Sequence, residues 1–217
     1  NRPKQLKPYS TFTAKDHGWI WHIPLREVLA FGYVHDSKYE QYTKQDFIKH
    51  IEDVMECEID PDDIKTIHFK AGRDEIHLKD NIVGIGLSSS FIEPLESTGL
   101  YLATSAILRL CEYIDGKITE QQYNDGVNEF FDRLTNFIAS HYKYSKRPGE
   151  YWDHYRNIEV VPFIPMDIFP DISWNWILSG FLDDVKTPKD EVDPRELIAI
   201  QRGKPFHEWM QDDSNFE

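Results

Sequence analysis

The chain has 217 residues, 40% of them hydrophobic and 14% aromatic, enough for one large or two small domains with well-filled apolar interfaces. Its formal net charge of -14, from 24 basic and 38 acidic residues, leaves no basic surplus for a nucleic-acid partner and no polybasic stretch for an anionic membrane. No apolar run approaches transmembrane length, no signal-peptide pattern is present, and Cys57 and Cys111 lack metal or redox spacing, so reduced thiols in a cytoplasmic protein are the simple reading.

Trp19 to Leu25 and Val28 to Val34 are rich in aromatic and β-branched residues and are separated by a short polar break, which predicts a hairpin. Thr43 is placed to cap a helix running through Met55, with Phe47, Ile48, Ile51, Val54 and Met55 at helical spacing. After a turn at 60–63, strands are predicted over Ile64 to Lys70, Glu75 to Leu78 and Asn81 to Leu87. Beyond Gly99 the pattern becomes helical. Leu100 to Ile114 is one helix, and Thr119-Glu-Gln-Gln122 is a capping box opening a second, which continues to Tyr142. Its apolar stripe is Val127, Phe130, Phe131, Leu134, Phe137 and Ile138. Pro148 and Gly149 break it before a short aromatic helix, Glu150 to Arg156, and further helices are predicted over Ile172 to Leu182 and Pro194 to Arg202. A β-rich part (1–99) followed by a mostly helical part (100–217) is an α+β organisation.

Chemistry concentrates in Phe91-Ile-Glu-Pro-Leu-Glu-Ser-Thr-Gly99, directly ahead of an apolar helix. Free backbone N–H groups and the positive end of a helix dipole would meet the carboxylates Glu93 and Glu96 there, a place to hold a small anion beside an acid or base. The plainer alternative makes Glu96 a helix-start acid and Ser97 an N-cap. Trp19 and Trp21 share one face of a strand, and His22 takes the other; both tryptophans are read as core aromatics when taken alone. The glycines of Gly84-Ile-Gly86 form a weak phosphate signal without the rest of a dinucleotide fingerprint. The histidines and aspartates show no HExxH and no calcium-loop pattern, so no metal is expected.

Trp19-Ile-Trp-His-Ile-Pro24 resembles the WxWxIP motif of flavin-dependent halogenases, and Phe91–Gly99 resembles their FxxPxxSxG segment. The wider phrase Glu93-Pro-Leu-Glu-Ser-Thr-Gly-Leu-Tyr101 is similar to the tryptophan-halogenase type of that family. The resemblance implies the β-rich part of a flavin-monooxygenase-like domain followed by a helical substrate-side region. It also implies that reduced FAD, oxygen and a halide yield hypohalous acid, which halogenates an electron-rich aromatic such as tryptophan or an indole. Carried onto this sequence, Thr98 and Gly99 match the halide-binding backbone, and Leu87 and Leu100 match positions against the flavin. Glu96 matches the acidic residue that steadies the cationic intermediate or takes its proton, and Ser97 its relaying neighbour. Trp19 and Trp21 match the pair that shields the flavin side from organic substrate. The segment Met166 to Trp176 diverges from the tryptophan enzymes; Phe169, Trp174 or Trp176 is a candidate to stack on the aromatic, with a core role as the equal alternative.

The resemblance further implies a separate flavin reductase as partner, and it leaves a homodimer open. The family's GxGxxG for the FAD diphosphate and its halogenating lysine are not found in these residues. The chain, which opens at Asn1 in a polar segment, therefore reads as the C-terminal portion of a longer enzyme, inactive alone. A non-catalytic interaction module of halogenase ancestry and a flavin-dependent aromatic monooxygenase are the alternatives.

Overall fold

The computed structural model describes residues 9–25 and 28–159, and of Glu96 the backbone alone. These residues fall into two compact units, 9–64 with 146–151 and 65–145 with 152–159.

In the first unit, β1 (Thr11–Lys15), β2 (Gly18–Pro24) and β3 (Leu29–Val34) form an antiparallel sheet in the order β1-β2-β3. The expected hairpin is β2–β3; β1 is an additional strand, too short and polar in Thr11-Phe-Thr-Ala-Lys15 to show a strand period by itself. On the central strand, Trp19 lies opposite Ala14 and Val34, and Trp21 lies opposite Phe12 and Gly32. Gly32 is required there. A Cβ on it would sit 2.3 Å from ring atoms of Trp21, whose indole lies across the neighbouring strand. On the opposite face, Ile20 is buried against Phe47 and Ile51 of α1 (Glu40–Met55), with Phe31, Tyr33 and Met55 around them. Burying a side chain of that size contributes about 2 kcal/mol.

Helix α1 begins before Thr43. A 3-10 turn, Ser37–Tyr39, is capped by Asp36, whose Oδ1 accepts the Lys38 N–H at 2.9 Å, and runs directly into the helix. Thr43 is therefore interior, buried, with its hydroxyl donating to the Glu40 carbonyl at 3.0 Å. A threonine that satisfies itself on its own helix needs no terminus. Glu56, at φ 52, ends α1 in the left-handed region.

No strand forms over Ile64 to Lys70: Ile67 is 80% exposed and has no ladder to join. The other two predicted strands shrink to paired dipeptides, β5 (Leu78–Lys79) with β6 (Ile82–Val83), while β4 (Gly72–Arg73) pairs with β7 (Ser90–Phe91). Side chains from α3 (Glu120–Lys143) supply the missing order. Asn124 Oδ1 accepts the N–H groups of His77 and Leu78 at 2.7 and 2.9 Å, and its Nδ2 donates to the Leu78 carbonyl at 2.8 Å. Asn128 Nδ2 donates to the Glu75 carbonyl at 2.9 Å, and Arg73 makes a two-pronged contact with Asp132, both bonds 3.1 Å.

α2 (Thr98–Ile114) packs on α3 through Ala106, Tyr123 and Val127, with Leu78 completing the cluster. The Thr119 capping box forms as expected: Thr119 Oγ1 accepts the Gln122 N–H at 3.2 Å, and Gln122 Oε1 accepts the Thr119 N–H at 2.9 Å. The predicted stripe on α3 is buried at Val127, Phe131, Leu134, Phe137 and Ile138, while Phe130 sits at its edge against Tyr101, ring centres 5.1 Å apart. α4 is Glu150–Arg156, as its aromatic pattern predicts. Strands followed by helices make the chain α+β. The helices predicted over 172–182 and 194–202 lie outside the described residues.

Candidate functional site

The segment after β7 is shaped by its own sequence. Ile92 is buried, Pro94 is fixed at φ -70, and Leu95–Ser97 forms a 3-10 turn in which the Ser97 N–H donates to the Pro94 carbonyl at 3.2 Å. Ser97 then turns the chain with φ 55 and ψ 29, a left-handed corner that costs a non-glycine residue about 1 kcal/mol. Ser97 occupies the N-cap position of α2, as the plainer reading had it, but its side chain makes no capping hydrogen bond.

Thr98 holds the corner. It is fully buried, its hydroxyl reaches the carbonyls of Glu93 and Leu95, both at 3.2 Å, and its N–H donates to the Leu95 carbonyl. Gly99 follows with open space where a Cβ would point. The first N–H groups of a helix lack intrahelical partners, and Gly99, the second residue of α2, lies at the positive end of its dipole. Glu96 sits within the 3-10 turn, one residue before the corner.

Behind the turn lies a polar pair that local spacing does not reveal. Glu93 Oε2 accepts the Tyr142 hydroxyl at 2.8 Å, and Oε1 is enclosed without a hydrogen-bond partner. Burial pushes the Glu93 carboxyl up to about 7, against the opposing pull of the Tyr142 hydroxyl. Next to Tyr142, His141 turns Nδ1 toward the Phe137 carbonyl at 3.0 Å, and burial lowers its imidazole to about 4, so it is neutral near pH 7. The available hints were a glutamate wedged between a buried isoleucine and a proline, and an aromatic-rich helix end.

The sequence profile of the tryptophan halogenase family matches residues 1–168. This chain belongs to the tryptophan halogenase family. It is 32% identical over 166 residues to the tryptophan 7-halogenase KtzQ of Kutzneria sp. (strain 744), covering 73% of this chain and 30% of that protein. It is 34% identical over 152 residues to the tryptophan 6-halogenase SttH of Streptomyces toxytricini, covering 68% and 29%. The chain thus spans under a third of the length of these curated relatives. Among solved structures, BrvH, a flavin-dependent halogenase from Brevundimonas sp. BAL3, superposes with a TM-score of 0.71 at 28% identity, covering 83% of this chain and 41% of that one.

In this halogenase-family chain the remaining positions divide between the units. Leu87 and Leu100, 80% and 75% exposed, lie on neighbouring elements of the second unit: a Cβ on Gly86, the residue before Leu87, would fall 3.7 Å from Ala103 Cβ, one turn after Leu100. Trp19 and Trp21 belong to the first unit. Trp19 is buried beside Phe12, ring centres 5.9 Å apart, and Trp21 is half-buried over Gly32, both on the sheet face that α1 does not cover. Phe169, Trp174 and Trp176 lie outside the described residues. Among the described residues no helix is long and apolar enough to cross a membrane.

Proposed function

We propose that this chain supplies the halide-binding and substrate-side residues of a flavin-dependent halogenase acting on an electron-rich aromatic of the tryptophan or indole type. The observation that carries the reading is the Ser97 corner, which leaves Gly99 open at the N-terminus of α2 inside a family-matched segment. The halide sits at Thr98–Gly99, where Gly99 offers its N–H and Thr98, tied to Glu93 and Leu95, fixes the donor's direction. Leu87 and Leu100 contact the flavin ring, and Trp19 and Trp21 keep organic substrate from the flavin side. Bound FAD, reduced by a separate reductase, would supply the two electrons with which oxygen, the oxidant, is activated to convert halide to hypohalous acid, the second oxygen atom leaving as water. When the aromatic carbon attacks the halogen of hypohalous acid, a C–X bond forms as the X–O bond breaks, the oxygen leaves as water after taking a proton, and the ring becomes cationic. The Glu96 carboxylate stabilises that cation and takes the ring proton, the C–H electron pair returning to the ring, with Ser97 as its relaying neighbour. In this reading residues 1–99 are the β-rich part of the flavin- and halide-binding domain, ending in the Glu96 acid, and 100–217 are a helical region on the substrate side.

The test is to supply the polypeptide that carries this chain with reductase, FAD, oxygen, bromide and tryptophan or indole, and to read products by mass spectrometry. A brominated product is expected, with kcat reduced about a hundredfold or more in Glu96→Gln. Full activity in Glu96→Gln removes the role of that residue, a hydroxylated product points to a monooxygenase, and no product favours an interaction module. The 217 residues by themselves, lacking GxGxxG, are expected to retain no FAD through gel filtration.

A further inference from the structure

Glu93 carries two attachments on one residue. Its side chain reaches the last turn of α3 through Tyr142 at 2.8 Å, and its carbonyl receives the hydroxyl of Thr98, the first residue of α2, at 3.2 Å. Buried Ile92 on one side and Pro94 on the other leave it little room to swing without dragging the turn along. Tyr142 is fixed in its turn: its ring stacks on Trp152 at 6.0 Å and tilts against Tyr155 at 5.3 Å. None of this is used by the reaction as proposed above, in which Glu96 does the proton chemistry.

We propose that Glu93 is a positioning residue: with Tyr142 it latches the Pro94–Gly99 turn to the end of α3, and it does so as the uncharged acid. The geometry supports the uncharged form, because the enclosed carboxyl has one hydrogen bond and an unpartnered Oε1, too little to hold a charge away from water. Burial accordingly raises its proton affinity to about 7. Among the described residues the titratable group bearing on it is Tyr142, whose hydroxyl favours the charged form and is outweighed; the adjacent His141 is itself neutral and faces the Phe137 carbonyl. The consequence for catalysis rests on the halide reading of Gly99. An acid without charge leaves that turn attractive to an anion. Ionisation would strengthen the Tyr142 bond itself, but one bond cannot hold a charge away from water, so the carboxylate would be drawn toward solvent, dragging the turn with it, and would set a negative charge behind the anion's seat. Halide uptake should therefore weaken as pH rises through about 7.

Hydrogen–deuterium exchange of the amides of 95–100 in the full chain, corrected for the intrinsic pH dependence of exchange, reads the latch directly. Wild type should lose about fivefold in protection between about pH 6 and about pH 8, the amount that loss of one uncharged hydrogen bond represents. Glu93→Gln keeps an acceptor for Tyr142 and cannot ionise, so its protection should be retained at both pH values. Tyr142→Phe should be unprotected at both, with helix content unchanged by circular dichroism. Protection that is independent of pH in wild type, or that follows the same pH course in Glu93→Gln, overturns the proposal; so does a protected turn in Tyr142→Phe. Should Tyr142→Phe fail to fold, the comparison of wild type with Glu93→Gln decides alone. Bromide line broadening on the same samples separates the two readings. The exchange pattern without bromide binding upholds the latch and removes the halide seat, and bromide binding without the exchange pattern removes the latch.

Discussion

The sheet of the first unit and the 72–91 segment of the second are ordered by different means. In β1–β3 the backbone ladder does the ordering: five paired positions join β1 to β2 and six join β2 to β3, and side chains then pack on either face. In 72–91 the ladders are two dipeptide pairings, and the backbone groups between them are claimed by amides and charges on α3. A buried N–H or carbonyl must have a partner from somewhere. Where the chain cannot give it a strand, it gives it an asparagine.

The comparison breaks most sharply at Asn124. Asn124→Ala leaves the N–H groups of His77 and Leu78 and the carbonyl of Leu78 without partners, and should cost about 4 kcal/mol in urea unfolding. No single side chain in the sheet should match that loss. The sheet's weakest point is steric instead. Gly32→Ala drives a methyl into the Trp21 ring, and overpacking of that kind should cost about 2 kcal/mol, with a change in tryptophan emission as the indole is displaced. A smaller effect sharpens the contrast: Thr119→Ala removes the α3 cap and should lower stability by about 1 kcal/mol. Because α3 carries the 72–91 segment, amide exchange there should rise with the loss of the cap, while exchange in β1–β3 stays unchanged.

The same contrast explains what the sequence disclosed. The hairpin, the three helices after Gly99 and the Thr119 capping box are written in windows of a few residues, as alternation, helical spacing or a Thr-x-x-Gln signature. Asn124 meets Leu78 across 46 residues and Tyr142 meets Glu93 across 49, and no local period encodes such a pairing. Runs such as Ile64 to Lys70 have strand composition, but a strand exists only where a neighbour accepts its hydrogen bonds. Thr43 misleads for a related reason, since a hydroxyl bonded back to Glu40 has the same composition as one that caps. In the candidate site, Pro94, Ser97, Thr98 and Gly99 announced a turn into a helix. That Thr98 spends its hydroxyl and its N–H on the turn itself, leaving Gly99 the open position, follows from the fold.

The grip of α3 on the stretch from Arg73 to Lys79 also makes that stretch a reporter. Trypsin can cut after either residue only when the backbone lifts away from the helix, and both neighbourhoods are tethered, Arg73 to Asp132 and Asp80 N–H to Glu120 at 3.1 Å. Partial openings that free a segment expose it in proportion to their population. The speed of cleavage after Lys79 thus measures how often α3 releases its load, read at a bond that lies outside the helix.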